Sequence, residues 1–87
     1  MKITKRIHPA YLEFEKAKTH GLNVDNIFGK YQYIYESEKG KISLIYLPNY
    51  FPNESFWEIF YIKGNLFEDV ERFDTKKEAE KRIKELL

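Results

Sequence analysis

The 87-residue chain has no cysteine, a single methionine, a single tryptophan, three prolines and four glycines. Without cysteine there is neither a disulfide framework nor a thiolate metal site, and the simplest setting for such a chain is the cytoplasm. The glycines, Gly21, Gly29, Gly40 and Gly64, stand singly, so no glycine-rich loop is available to cradle a phosphate. No apolar run is long enough to span a membrane, and the basic start from Met1 to Pro9 has no apolar stretch behind it. Neither a signal peptide nor a membrane partner is therefore expected. Net charge is scarce too. Fifteen Lys and Arg against fourteen Asp and Glu leave +1, which argues against a protein that lives on nucleic acid or anionic lipid.

What the chain does have is aromatic surface: seven Phe, seven Tyr and one Trp, residues that fill small cores and anchor interfaces. They gather in strand-like runs. Phe56 to Lys63 is apolar on both alternations except at Glu58, and a strand with two apolar faces belongs inside a sheet. Tyr31 to Leu47 reads as a hairpin, with Tyr31, Tyr33 and Tyr35 on one face and Ile42, Leu44 and Tyr46 on the return. A two-residue Lys39-Gly40 turn would pair Tyr35 with Leu44 and Tyr33 with Tyr46. Lys63-Gly64-Asn65-Leu66 suits a tight turn into an edge strand ending at Phe73, whose acids discourage pairing with other chains.

Helix signals bracket the sheet. Pro9 suits a first helical position and Gly21 the residue past the end, with Ile7, Tyr11, Phe14 and Ala17 as an apolar stripe. The connection from Leu22 to Lys30 is expected to dock Val24, Ile27 and Phe28. Thr75 with Glu78 forms a capping box for a helix to the end of the chain, its stripe being Ala79, Ile83, Leu86 and Leu87. Glu78 with Arg82 and Glu80 with Lys84 stand four apart in the favourable order. The fold class that follows is α+β: an antiparallel sheet of about four strands, a C-terminal helix on one face and an N-terminal helical segment, in a single domain over 1–87.

Chemistry-bearing residues are sparse. His8 and His20 lie at opposite ends of the first helix, too far apart to share a metal, and each is better explained as a helix-end residue. Glu68, Asp69 and Glu71 cluster, but beside Arg72 and a solvated turn rather than in the apolar pocket that raises a catalytic carboxyl. No catalytic residue, metal or cofactor is expected.

Beside the strand signals, the run Phe73-Asp74-Thr75-Lys76-Lys77-Glu78-Ala79 resembles, over about fifteen residues, the end of the AP2-like DNA-binding domains and of the arm-binding domains of phage integrases, where a similar run opens the helix behind the sheet. That resemblance implies strands that present Arg, Lys and Trp to DNA. Here Trp57 stands between Phe56 and Glu58, and the outward strand positions are neutral or acidic, a departure from the pattern.

Two functions from different classes follow. The first is a small non-enzymatic protein-binding module, an inhibitor or accessory protein of a bacterium or phage. Its contact residues would be Tyr50 and Phe51, in the proline-flanked segment Pro48 to Ser55, read as an irregular loop. The second is a nucleic-acid-binding domain using Tyr31, Tyr33, Tyr35 and Lys41, or the mildly basic first third of the chain. The partner is thus another protein first and nucleic acid second, with homodimer formation a third option.

Overall fold

Five strands and two helices follow the order β1 (Lys2–Ile7), α1 (Pro9–Thr19), β2 (Tyr31–Ser37), β3 (Gly40–Phe51), β4 (Glu54–Lys63), β5 (Leu66–Phe73) and α2 (Lys76–Leu86). The computed structural model describes residues 1–21, 28–51, 54–63 and 66–87, and the side chains of 49–51, 62, 63 and 66–69 lie outside that description. The fold is α+β. All strands join one antiparallel sheet in sequence order, with β1 and β5 at its edges.

The additional strand is β1, over the basic start of the chain, and it includes Ile7, which is expected on the α1 stripe but pairs with Tyr31 instead. It pairs along its whole length with β2, from Lys2 opposite Glu36 to Ile7 opposite Tyr31. Only Ile3 and Ile7 carry its apolar alternation, too little to announce a strand until β2 supplies hydrogen-bonding partners.

The β2–β3 hairpin has the expected faces but a different register. Ser37 pairs with Gly40, so the turn residues are Glu38 and Lys39, and Tyr35 opposes Ile42 while Tyr33 opposes Leu44. A shift of one residue on each strand preserves which side chains share a face. Gly40 explains the choice: its φ is +152°, and a Cβ there would sit 3.1 Å from the Tyr61 hydroxyl. Glycine at the first pairing position lets β3 start close against β4, where Tyr61 Oη donates to the Lys39 carbonyl (3.1 Å).

Pairing makes the two sheet faces unequal. Tyr35, Ile42, Leu44 and Ile59 are buried on one face beneath Ala79 and Ile83 of α2, each large apolar side chain contributing about 1.5 to 3 kcal/mol by leaving water. Leu86 and Leu87 complete the expected stripe. On the far face Ile45, Leu47 and Phe56 are buried, with Phe28 and Phe60 packed against them. β4 thus serves two cores, although it is fourth in the sheet order rather than central.

Thr75 caps α2 by accepting from the Glu78 amide (3.2 Å). The Glu78 carboxylate accepts a hydrogen bond from the Thr75 hydroxyl (3.2 Å) in place of the expected return bond to the cap's amide. The anticipated pairs on α2 are also replaced. Arg82 turns to Glu71 of β5 (2.9 Å) and to Glu85 (3.2 Å), while Glu80 forms an ion pair with Lys76 (3.6 Å). A carboxylate on the sheet gives Arg82 a tertiary partner, which ties helix to strand.

Helix α1 begins and ends where Pro9 and Gly21 indicated, with Gly21 at φ +79°. Tyr11, Phe14 and Ala17 are half-buried, yet no α1 residue is buried, so the helix does not cover the far face. Phe28 contributes there instead; Val24 and Ile27 lie outside the described residues.

Candidate functional site

The residues singled out for a nucleic-acid platform do not converge. Tyr31, Tyr33 and Tyr35 share the helix-bearing face, but Lys41 projects from the other face, opposite Glu36 and 3.9 Å from its carboxylate. Tyr35 is core, and burial followed by the nearby Glu80 pushes its hydroxyl pKa up to about 12. Tyr33 is half-buried, leaving Tyr31, at 39% exposure, as the most accessible of the three.

Two cations that sequence reasoning missed do meet these rings. Lys5 Nζ lies 4.1 Å from the Tyr31 centroid and 5.7 Å from that of Tyr33. Lys76 Nζ lies 3.9 Å from the Tyr33 centroid and 5.9 Å from that of Trp57. Lys30 approaches Tyr31 at 5.6 Å. The signal for Lys5 was its period-two spacing from Ile3 and Ile7, which becomes legible only once β1 is known to be a strand.

The site emerges from what α2 leaves uncovered. Its principal packing is on β4 and β5, and on the β1 side of the same face four large apolar side chains stay exposed: Met1 and Ile3 at 59%, Ile7 at 41%, and Tyr31. Between β1 and α2 runs a groove of about 460 Å³ lined by Ile3, Tyr33, Tyr35 and Ile83, with Lys5, Lys76 and Lys84 among its polar residues. Apolar surface gathered on one half-face and bordered by lysines is what recognition surfaces look like, whereas scattered single residues are ordinary.

The segment expected as a loop is a strand pair. β3 runs on to Phe51 and β4 starts at Glu54, the two pairing at Leu47 with Phe56 and again at Phe51 with Glu54. A register shift between Leu47 and Phe51 accommodates Pro48, which has no amide to donate. Among the described residues the pairing of β2 with β3 stops at Ile45, and that of β5 with β4 at Trp57, so the hairpin end continues beyond its neighbours. Tyr50 and Phe51 have backbone in this arm; their side chains lie outside the described residues, as does Pro52.

The far face holds a buried acid. Glu58 lies 3.4 Å from Arg72, and burial raises its carboxyl pKa against the opposing pull of that guanidinium. Beside it, Arg6 Nε donates to Gln32 Oε1 (2.7 Å), whose amide donates to Ser43 Oγ (2.7 Å). The histidines cap α1: His8 Nδ1 accepts from the Ala10 amide (3.0 Å) and its ring stacks on Phe28 at 4.9 Å, while His20 is the C-cap. Of the acidic cluster, Glu71 is held by Arg82; the side chains of Glu68 and Asp69 lie outside the description. Among the described residues no three His, Asp or Glu gather as metal ligands would, and no helix is long and apolar enough to cross a membrane.

No protein-family model, curated protein or solved structure matches this chain. The likeness of Phe73 to Ala79 to phage-integrase domains therefore rests on the capped strand-to-helix turn alone.

Proposed function

We propose that the chain is a non-enzymatic protein-binding module that acts by occupying a partner's surface with the uncovered half of its helix-bearing face. The observation that carries this reading is the gathering of Ile3, Ile7, Tyr31 and Met1 on that half-face, exposed and bordered by Lys5. Aliphatic side chains offer bases nothing to stack on, while they suit the apolar centre of a protein interface. The accessible ring, Tyr31, already carries a lysine over its face.

The test is affinity capture from an extract of the source organism with the parent chain, Ile3→Asp and Val70→Asp. Val70 is comparably exposed, at 51%, but sits on the opposite edge strand. A protein retained by the parent and by Val70→Asp but lost with Ile3→Asp supports the reading; retention by all three removes it. A second reading is favoured by the β3–β4 arm, which continues past its neighbouring strands and carries the backbone of Tyr50 and Phe51. Tyr50→Ala and Phe51→Ala in the same capture distinguish it.

A further inference from the structure

We propose that the segment this surface takes from its partner protein is an extended acidic strand, added to the free edge of β1 with its apolar side chains beside the groove under α2. The inference rests on the protein-binding reading and specifies the ligand. β1 is an edge strand whose pairing among the described residues is with β2 alone. Its outer row of amides and carbonyls is therefore a template for one more strand, and main-chain hydrogen bonds of that kind give affinity without a deep pocket.

Charge selects the occupant. Every charged residue of β1 is a cation: Lys2, Lys5 and Arg6. Lysine on an edge is also the ordinary protection against unwanted pairing, but protection does not require Ile3 and Ile7 to stand exposed on the same strand. A basic edge repels a second copy of itself and accepts an acidic strand, which is selection by repulsion as much as by attraction.

The groove adds the side-chain pattern. Lys5, Lys76 and Lys84 line it, and its one acid, Glu80, is 3.6 Å from Lys76. On an added strand, alternate side chains would fall beside Ile3 and the groove, where apolar residues bury surface. The others would fall on the far face beside Lys2, Thr4 and Arg6, where carboxylates meet cations. Alternating apolar and acidic residues satisfy both rows. The opposite edge, β5, carries Glu68, Asp69 and Glu71 against Arg72 alone, so it disfavours the same strand.

The experiment uses the full chain and a fluorescein-labelled short peptide alternating valine and glutamate, with its valine–lysine counterpart and an oligothymidine as competing probes. Fluorescence anisotropy should show binding of the glutamate peptide only, and hydrogen exchange should slow at β1 amides. Ile3→Asp should weaken binding about tenfold or more, by setting a charged carboxylate where the strand's apolar side chains would be buried. Lys84→Glu, at an exposed helix position, should weaken it without touching β1. Equal binding of the lysine peptide, or binding that leaves β1 exchange unchanged, overturns the proposal. Tighter, steeply salt-dependent binding of oligothymidine overturns it in favour of nucleic acid. A mass that rises with concentration in sedimentation, abolished by Ile3→Asp, overturns it in favour of a second copy. Should no peptide bind while Ile3→Asp still loses a captured protein, the strand inference fails and the surface reading stands.

Discussion

Lys76, the first residue of α2, holds its ammonium 3.9 Å from the centroid of the Tyr33 ring on β2. This contact joins the start of the helix to a strand on the uncovered side of the sheet. Tyr33→Ala should cost about 2 kcal/mol of stability, less than a fully buried aromatic would, and Lys76→Ala about 0.5 to 1 kcal/mol. Urea unfolding of both variants and of the double mutant checks it. Strictly additive losses would mean that the ammonium and the ring do not interact.

Gly40 should resist substitution. With φ at +152° and a new Cβ 3.1 Å from Tyr61 Oη, Gly40→Ala should destabilise the chain by about 2 kcal/mol through backbone strain and displacement of the tyrosine. Denaturant midpoints measure this, and an unchanged midpoint would contradict the assigned register.

Glu58 should make the fold less stable as pH rises. Burial raises its folded pKa above the ordinary 4.5. Between those two values the folded chain keeps a proton the unfolded chain has released, so stability falls across the window and stays lower above it. Thermal melts from pH 4 upward should show this fall shrink in Glu58→Gln and steepen in Arg72→Met, which removes the opposing charge. Identical pH profiles for all three chains would refute the assignment.

His8 should act in the opposite direction, and locally. Burial and then Arg6 lower its pKa from 6.5, so the folded chain resists a proton that the unfolded chain accepts. Stability is lost as pH falls below 6.5 toward the lowered value. Protonating Nδ1 also removes the acceptor that caps Ala10. Because α1 buries no residue, the readout is amide exchange in α1 rather than the global melt. His8→Asn should keep the cap and lose the pH response, whereas His8→Ala should cost the helix about 1 kcal/mol. Equal α1 exchange at pH 5 and pH 7.5 in the parent would sink this prediction.

The sequence by itself determined the elements whose signals are local. Pro9 and Gly21 bounded α1 and Thr75 opened α2, because caps depend on a few neighbouring dihedrals and amides. The two-sided apolar run of Phe56 to Tyr61 placed β4 inside the sheet, and alternation placed three tyrosines on one face. Tertiary structure alone decided the features that depend on distant partners. β1 has too few apolar residues to declare itself and becomes a strand by pairing with β2. That pairing carries Lys5 to Tyr31, while α2 brings Lys76 to Tyr33 from a segment more than forty residues away. Of the segment Pro48 to Ser55, read as a loop from its prolines, residues 48–51 and 54–55 are drawn into strands by cross-strand hydrogen bonds that local propensity does not record. The exposed half-face has the same origin: α2 has one narrow apolar stripe, and where that stripe lands on the sheet determines which of the apolar residues remain in water.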